Sequence, residues 1–501
     1  MSFKFDDYSE VPLATPVEEI PTKVELVRKS FQEGNTRPIE KRLDLLRDLY
    51  YGLKDNADIL KQAIEKDLHR SPYETQALEL DGVFAEIDLA LNKLESWAKE
   101  KSAGWSGLKF MTTSPKTVKI PLGTVLIIAP WNYPLFLSIT PIASAIAAGN
   151  TVVFKPSEII PNTAQAVTKM LEKCLPPSVL QVVNGAIPET TSLLEQRFDK
   201  ILVTGSGKVG RIVAQAAAKH STPTILELGG KSPALVSASA NIPITAKRLV
   251  WGKFVNAGQT CVAPDYLLVE SSVRDQLVTE MVNAIKEFYP NLTKEQRDYA
   301  HIPSERLFDR LAGLVNNTQG KIAYGGTVDR QTLYIEPTIV TDVKADDVLM
   351  EDEIFGPILP IITVDNIYKD GVPFITGHHD TPLAMYIFTA NKAEANSILY
   401  MVRSGGAIVN DTLLHVGMNT VPFGGVGTSG YGAYHGRSGF DAFSHERAVL
   451  RQPFWADFLL KVRYPPYSHR KAAMMGRLSK RSEWYPRTGR VKKPIWRKFS
   501  L

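Results

Sequence analysis

Residues 124–154 read TVLIIAPWNYPLFLSITPIASAIAAGNTVVF, and this stretch decides the fold class. An apolar, β-branched run at 124–129 predicts a buried strand, and a second such run occupies 151–154. Residues 134–148 between them have a helical pattern that closes on Gly149-Asn150, a pair that commonly ends helices. A strand, a helix and a strand in succession predict a parallel βαβ unit.

The same alternation continues on both sides of this unit. Further strands are predicted at 180–183, 200–204 and 224–226, with a helix at 163–174. A second alternating block runs from 233 to about 410 and includes predicted helices at 272–288 and 304–315. Residues 16–101 are helical in pattern, with an apolar stripe at Val83, Ile87, Leu91 and Leu94. The sequence therefore predicts two α/β domains preceded by helices.

Length and composition set the broad class of protein. A chain of 501 residues is too long for a single typical core, so two or three domains are expected. The two cysteines, Cys174 and Cys261, provide no disulfide framework and fit a reducing, intracellular compartment, cytoplasmic or peripheral on a membrane's cytoplasmic face. No stretch reaches the roughly 18 apolar residues that a membrane span requires, so we expect no transmembrane helix and no secretion.

A glycine-rich turn is the first candidate binding motif. Residues 204–210 read TGSGKVG, and Gly205, Gly207 and Gly210 match the pattern G-x-G-x-x-G between a predicted strand and a predicted helix. Backbone amides at such a helix N-terminus can bind phosphate, although an ordinary tight turn has the same pattern. Glu227 follows at nearly the spacing of a ribose-binding acid. On spacing alone, Glu227 is either a ribose ligand or a catalytic base.

Cys261 is the candidate nucleophile. It follows Gly258-Gln259-Thr260 in a polar, glycine-containing context, whereas Cys174 lies at the end of a helical pattern. Most free cysteines are small buried hydrophobic residues, and that alternative stays open for Cys261 on its local sequence.

Several ordered motifs together resemble the aldehyde dehydrogenase superfamily over roughly residues 20–465. They are PWNYP at 130–134, KPSE at 155–158, ELGGKSP at 227–233, GQTC at 258–261, EIFGP at 353–357 and PFGG at 422–425. The chain is most similar to the class 3, fatty-aldehyde branch. The marks of that branch are CVAPDY at 261–266, the Asn410-Asp411 and His415 segment, YHG at 434–436 and RYPPY at 463–467. Membrane-anchored members of the branch end in an apolar helix, and this chain ends in a basic segment instead.

The resemblance implies a fold, an activity and a domain plan. The implied fold is α/β, with two Rossmann-like domains and a small β bridging element for oligomerisation. The implied plan is a cofactor-binding domain at 1–228 interrupted by a bridging segment at about 104–121, a catalytic domain at 229–428, a closing segment at 429–460 and a basic tail at 461–501. The implied activity is NAD(P)-dependent oxidation of a medium- to long-chain aliphatic aldehyde by a homodimer. A dehydrogenase that acylates coenzyme A and a catalytically silent relative are the alternatives.

The resemblance also implies a role for individual residues. Cys261 is the nucleophile, Glu227 is the base that hydrolyses the thioester, and the Asn132 amide with the Cys261 backbone N–H binds the oxyanion. The cofactor positions are Lys155, Glu158, Gly205, Ser206, Gly210, Glu353 and Phe355, and those of the substrate tunnel are Tyr133 and Phe423. The acid at Glu158 favours NAD, with NADP also accepted. His415 and His435 lack metal-ligand spacing, so no metal is expected.

The C-terminal segment differs in charge from the rest of the chain. Residues 461–501 carry 13 Lys and Arg against a single acid, Glu483, which gives this segment a net charge of +12 and leaves −7 for the remainder. A solvated tail and a surface that docks on anionic lipid are both consistent with this composition. Trp484 and Trp496 favour the lipid alternative, because tryptophan suits a membrane surface, and no nucleic-acid partner is expected.

Overall fold

A computed structural model describes residues 2–104, 110–290, 292–293, 298–378, 381–479 and 487–489. The chain forms two compact units. The first comprises Met1–Trp97 and Ile120–His445, and the second comprises Ala98–Lys119 and Glu446–Leu501. None of the helices in the described part of the chain combines the length and apolar composition needed to cross a membrane.

The described residues form the following strands and helices. The strands are β1 (Lys101–Ser102), β2 (Ser114–Pro121), β3 (Thr124–Ile128), β4 (Thr151–Lys155), β5 (Leu180–Val182), β6 (Lys200–Gly205), β7 (Thr224–Leu228), β8 (Pro233–Val236), β9 (Tyr266–Glu270), β10 (Lys321–Tyr324), β11 (Val328–Asp329), β12 (Tyr334–Ile335), β13 (Thr338–Thr341), β14 (Ile358–Val364), β15 (Ala384–Phe388), β16 (Gly406–Val409), β17 (Gly430–Tyr431) and β18 (Ser444–Arg451). The helices are α1 (Ile20–Gln32), α2 (Ile39–Leu68), α3 (Pro72–Thr75), α4 (Asp81–Ala98), α5 (Phe136–Ala148), α6 (Pro161–Cys174), α7 (Ile187–Glu195), α8 (Gly207–Ala218), α9 (Ile242–Phe254), α10 (Arg274–Phe288), α11 (Glu305–Asn317), α12 (Val348–Glu351), α13 (Val372–His378), α14 (Lys392–Met401), α15 (Gly436–Ala442), α16 (Asp457–Leu460) and α17 (His469–Ser479).

The first sheet of the larger unit has the strand order β17–β7–β6–β3–β4–β5. Strands β7, β6, β3, β4 and β5 run parallel, and β17 pairs antiparallel at one edge. Every residue of β3 and β4 is buried, as expected of parallel strands that are covered on both faces. Because β3 lies between β4 and β6, the chain changes direction across the sheet at this point, where α/β sheets commonly form a ligand crevice.

The second sheet of the same unit has the order β10–β13–β14–β9–β8–β15–β16. All its pairings are parallel except that of β10 with β13. Separate apolar clusters contain alternate residues of its central strands, for example Leu267 in one and Leu268 in the other. The smaller unit contains the sheet ordered β1–β2–β18. These sheets confirm the predicted class of two parallel α/β sheets with a small additional β element.

Helix α5 shows how the quoted stretch folds. All of its residues are buried, including Pro141, so it lacks the polar face of a surface helix. It begins at Phe136, two residues later than predicted. The carboxylate of Glu79 accepts the backbone N–H groups of Leu135 and Phe136 at 2.6 and 3.0 Å, and this cap fixes the start. The predicted end is correct, since Gly149 takes the left-handed conformation with φ of 91°.

Replacing Gly149 tests this helix end. A Cβ at Gly149 would occupy a left-handed backbone conformation and approach the Arg42 guanidinium to 2.7 Å. We expect Gly149→Ala to destabilise the fold by at least about 1–2 kcal/mol, the usual cost of that backbone conformation. The matched control is Gly313→Ala, because Gly313 lies inside α11 and a Cβ added there would meet no atom within 4 Å. Urea denaturation should show a lower midpoint for the first variant only, and equal midpoints would contradict the assignment.

Candidate active site

The carboxyl edge of the first sheet collects four of the predicted motifs. Lys155 and Gly205 are the last residues of β4 and β6, and Glu227 is next to last in β7. Asn132 follows β3 in the loop that leads to α5. Since these strands are parallel neighbours, their carboxyl ends lie along one edge. The sheet thus brings the PWNYP, KPSE, TGSGKVG and ELGGKSP segments to the same side.

The second sheet contributes residues at the amino ends of its strands. Cys261 lies in the loop before β9, Lys231 lies before β8, and Glu353 and Phe355 lie before β14. The thiol loop is joined to the first sheet, because Asn132 Nδ2 donates to the Gln259 carbonyl oxygen at 3.0 Å. The site therefore lies where the carboxyl edge of one sheet faces the amino ends of the other.

Cys261 is half-buried and forms no disulfide. Burial above all, followed by the nearby carboxylates of Glu353 and Glu227, raises the pKa of its thiol to about 12. The backbone N–H groups of Cys261 and Val262 oppose this shift. At neutral pH the thiol is therefore protonated, and a positive group or the loss of a neighbouring negative charge would favour the thiolate.

Glu227 is a buried carboxyl group, only 3% exposed. Neither of its carboxylate oxygens has a hydrogen-bond partner among the described residues. Burial alone raises its pKa well above the ordinary range. Because a raised pKa makes a carboxylate a stronger base, the group suits abstraction of a proton from water.

Glu353 and Phe355 come to the same place on the segment before β14. Burial raises the pKa of Glu353 to about 8, and the Gly230 backbone N–H, Lys231 and Lys253 oppose this shift. A Cβ on Gly229 would overlap the Glu353 carboxylate, so only glycine allows this approach. The Phe355 ring meets the Trp131 ring edge-on, with centroids 5.4 Å apart.

Lys231 and Asp265 form a buried ion pair that the sequence analysis missed. Lys231 Nζ lies 2.5 Å from Asp265 Oδ2 and also donates to the carbonyl oxygens of Leu349 and Asp352. Asp265 Oδ1 accepts the Ile354 backbone N–H at 2.9 Å. The pair therefore holds the segment that carries Glu353. The sequence could have indicated this pair, because Lys231 lies just before β8 and Asp265 just before the adjacent strand β9.

The remaining predicted cofactor positions lie around β4 and β6. Lys155 is buried, and its Nζ lies 2.8 Å from Glu158 Oε2. Beside them is a cavity of about 100 Å³, whose lining includes Pro156, Glu158, Gln165 and Gly185.

The glycine-rich turn leads into α8 as predicted. Ser206 caps this helix, accepting the Val209 N–H at 3.4 Å. Gly210 has a packing role, because a Cβ there would lie 2.6 Å from Leu228 Cδ2. A Cβ at Gly205 would meet only ordinary contacts, so the surrounding atoms do not require glycine at this position.

Tyr133 and Phe423 contribute rings to the surroundings of the thiol loop. The Tyr133 hydroxyl hydrogen-bonds to Thr260 Oγ1 at 2.7 Å. Phe423 belongs to an apolar cluster that packs against Cys261, and its ring stacks on His435 with centroids 5.3 Å apart. Burial lowers the pKa of His415 to about 4 and that of His435 to about 3, so both rings are neutral at physiological pH. Within the described ranges no three His, Cys, Asp or Glu side chains are grouped as a metal site requires.

Residues 6–449 match the sequence model of the Aldehyde dehydrogenase family. The chain belongs to this family. The match spans both sheets of the larger unit and all the candidate site residues, and it confirms the predicted family and enzyme class. This aldehyde dehydrogenase therefore acts on aldehydes as an oxidoreductase.

The relatives of this aldehyde dehydrogenase indicate to which branch of the family it belongs. It is 42% identical over 446 residues to the "Aldehyde dehydrogenase, dimeric NADP-preferring" of Canis lupus familiaris, covering 88% of this chain and 97% of the relative. It is 42% identical over 451 residues to "Aldehyde dehydrogenase family 3 member A2" of Rattus norvegicus, covering 90% and 92%. The solved substrate-bound state of Staphylococcus aureus AldH superposes with a TM-score of 0.89 at 37% identity, covering 92% and 99%. The fold and the predicted family 3 branch are confirmed.

The electrostatics of the thiol can be tested by alkylation. At pH 9 Glu353 is ionised and opposes the Cys261 thiolate. Glu353→Gln removes this charge, so the thiol pKa should fall and iodoacetamide should react faster, by up to about tenfold for one pKa unit. Cys174→Ala serves as the background, which leaves Cys261 as the reacting thiol. Glu351→Gln, at an exposed neighbouring carboxylate, is the control. Slower alkylation of the Glu353 variant would contradict this account.

Proposed function

We propose that this aldehyde dehydrogenase oxidises apolar aldehydes to carboxylates with Cys261 as nucleophile and Glu227 as the base for hydrolysis. The observation that carries the proposal is that a half-buried thiol, a buried carboxyl group without a partner and the Asn132 amide come together at the facing edges of two sheets. These are the groups that acyl transfer through a thioester requires.

The first step is loss of the Cys261 thiol proton to water and attack of the resulting thiolate sulfur on the aldehyde carbon. A C–S bond forms, and the carbonyl π electrons move to oxygen, which becomes an oxyanion. The Asn132 amide nitrogen donates one hydrogen to Gln259 and retains a second for this oxygen. The Cys261 backbone N–H is the other proposed donor. One such donor is typically worth about 3–4 kcal/mol in the transition state.

A nicotinamide dinucleotide, when bound, would supply the hydride acceptor that oxidation of the thiohemiacetal carbon to a thioester requires. The fit of this chain to such a cofactor rests on the cavity beside Glu158 and on the Ser206-capped start of α8, where backbone N–H groups can meet phosphate. We propose that Lys155 and Glu158 hold the adenosine ribose, that Gly205, Ser206 and Gly210 form the turn beneath the phosphates, and that Glu353 and Phe355 hold the nicotinamide end.

Cofactor preference follows from the charge at Glu158. A carboxylate accepts hydrogen bonds from free ribose hydroxyls and repels a 2′-phosphate, so NAD should bind more tightly than NADP. Lys155, paired with Glu158 at 2.8 Å, offsets part of this repulsion, and NADP should therefore also be accepted. The dog relative named above is NADP-preferring, which supports use of both dinucleotides in this branch.

Thioester hydrolysis is the proposed task of Glu227. Its carboxylate takes a proton from water as the water oxygen attacks the acyl carbon, and the Cys261 sulfur leaves with the electrons of the C–S bond. The raised pKa of Glu227 and the lack of a competing partner for its oxygens among the described residues support this role over ribose binding. General base catalysis of this kind typically contributes about 10²–10⁴ in rate.

An apolar aldehyde suits the surroundings of the thiol. Cys261 packs against a cluster that includes Phe254, Leu413, Phe423 and Tyr434. Burying an alkyl chain against such residues contributes about 0.8 kcal/mol for each methylene group. We therefore propose medium- to long-chain aliphatic aldehydes as substrates, with Tyr133 and Phe423 walling their path.

We also propose a domain plan and a homodimer. In this plan, residues 1–228 bind the cofactor, 229–428 carry the thiol, and about 104–121 with 429–460 form the bridging segments. The name of the dog relative describes a dimer, which supports the same assembly here. Sedimentation equilibrium would measure the mass directly.

The role of Glu227 is tested by separating the first turnover from later ones. Glu227→Gln should reduce one equivalent of NAD with hexadecanal and then stall as an acyl-enzyme that is visible by intact mass. Cys261→Ala should give neither reduced NAD nor an adduct while still binding the dinucleotide. A Glu227→Gln enzyme that turns over normally but binds NAD weakly would make Glu227 a ribose ligand. Faster turnover of the unmodified enzyme on addition of coenzyme A would favour the acylating alternative.

A second proposal concerns the basic segment 461–501. Its helix α17 carries Arg470, Lys471 and Arg477 and has no acid in its first turn. We propose that the basic residues of this segment dock on anionic lipid, since polybasic segments suit a membrane interface.

Vesicle flotation tests the docking proposal. Each basic group near an anionic surface contributes about 1 kcal/mol within a Debye length of about 8–10 Å. The full chain should therefore float with phosphatidylserine vesicles at low salt, much less at high salt, and not with phosphatidylcholine alone. Deleting residues 468–501 should reduce binding while sparing turnover of a short aldehyde. Equal recovery of both proteins, or binding that ignores salt, would leave a solvated tail.

A further inference from the structure

A buried polar cluster lies directly behind the two proposed oxyanion donors. Arg70 is fully buried in the short connection between α2 and α3, and its Nη2 forms an ion pair with Glu79. Its Nη1 donates to the Asn132 carbonyl oxygen at 2.9 Å and reaches Asn256 Oδ1 at 3.4 Å. Arg70 thus contacts both the loop that carries Asn132 and the turn that precedes the thiol.

Glu74 holds the other side of the thiol turn. Its Oε1 accepts the Asn256 backbone N–H at 2.7 Å. Burial raises the pKa of Glu74 to about 7, whereas Arg70 and the Asn256 N–H oppose the shift. Glu74 is therefore a desolvated carboxyl group committed to the backbone of the thiol turn, and the proposed chemistry gives it no other task.

The turn that Glu74 contacts has an unfavourable backbone. Asn256 and Ala257 have φ values of 52° and 51°, in the left-handed region, and Gly258 follows with φ of 72°. A non-glycine residue in this region costs about 1–2 kcal/mol, so the turn persists only where its surroundings hold it. Asn256 Nδ2 donates to the Asn132 and Gln259 carbonyl oxygens at 3.0 and 3.2 Å, which links the turn back to Asn132.

A π-turn places these charged groups along one helix. Residues Gln76–Leu80 form a single π-turn between α3 and α4. Glu74 and Glu79 lie before and within it, so one irregular helix binds the thiol turn through Glu74 and caps α5 through Glu79. Such π-turns are frequent at functional sites.

We infer that Arg70 and Glu74 are positioning residues that hold the Asn132 amide and the thiol turn in register for the oxyanion. The inference rests on the proposed roles of Asn132 and Cys261 and extends them to residues that touch neither substrate nor cofactor. Loss of the Glu74 contact lets the turn relax and moves the backbone N–H of Cys261 away from the Asn132 amide. Small misplacements of this kind cost up to about 100-fold in rate.

The experiment compares Glu74→Ala with Glu74→Gln in the full chain. In single turnover with saturating NAD and aldehyde, Glu74→Ala should reduce NAD about 10- to 100-fold more slowly. The KM for aldehyde and the affinity for NAD should change by less than about twofold, because binding does not create the oxyanion. Glu74→Gln retains an oxygen for the Asn256 N–H, so it should recover most of the rate. Asp81→Ala, at an exposed carboxylate on the same helix, should match the unmodified enzyme.

Alkylation and a double-mutant cycle distinguish a positioning role from a general disturbance of the active-site structure. Iodoacetamide reacts with Cys261 without forming an oxyanion, so Glu74→Ala should be alkylated at the normal rate. In an Asn132→Ala background, Glu74→Ala should slow the reduction of NAD by a smaller factor than it does alone, because both residues act on the same pair of oxyanion donors. Equal losses in the Ala and Gln variants, a parallel loss of alkylation or full additivity with Asn132→Ala would overturn the inference.

Failure of the inference is distinguishable from failure of the proposed function. If Cys261→Ala retains turnover, the proposed nucleophile is wrong whatever Glu74 does. If Cys261→Ala is inactive while Glu74→Ala turns over normally, the nucleophile stands and Arg70 and Glu74 have only a structural role.

Discussion

The hydrogen bonds between Asn132 and the turn at 256–259 are the contacts on which the site depends. Each parallel sheet could form its own core without the other, but neither alone holds a thiol, an amide and a carboxylate within reach. Asn132 donates to Gln259 and accepts from Asn256 at 3.0 Å in both cases, and both partners are buried. Leaving such buried groups unpaired costs about 1–3 kcal/mol each, so the two sheet edges are fixed together.

Burial has opposite effects on the groups of this site. It raises the pKa of Cys261 and of Glu227, which disfavours a thiolate but makes a carboxylate a stronger base. The same burial requires the structural charges to be paired, as Lys231 is with Asp265. A single dry environment thus serves hydrolysis directly, whereas the nucleophile must gain its negative charge from a local change in electrostatics.

The strands and helices could be predicted from the sequence because apolar periodicity and turn residues are properties of short segments. The runs at 124–129 and 151–154 became β3 and β4, and the glycine-rich turn leads into a helix, α8, as predicted. Where a predicted boundary is wrong by two residues, as at the start of α5, the cause is a tertiary contact: Glu79, from another helix, caps α5. The Lys231–Asp265 and Arg70–Glu79 pairs could not be predicted, because no periodicity records which charges meet inside a core. Cofactor and catalytic roles came from resemblance, since spacing alone left Glu227 with two alternatives.

The strained turn before Cys261 explains why so much buried polar structure surrounds a small site. Asn256 and Ala257 adopt left-handed conformations, which cost free energy for residues other than glycine. Asn256 donates to Glu74 and to the Asn132 carbonyl oxygen and accepts from Gln259, and these hydrogen bonds offset that cost before any substrate arrives. A donor held in place in advance needs no reorganisation as charge develops on the aldehyde oxygen. The buried Arg70–Glu79 pair is then best understood as the fixed support for that arrangement, because its charges contact the loop and the helix cap and leave the reacting groups free.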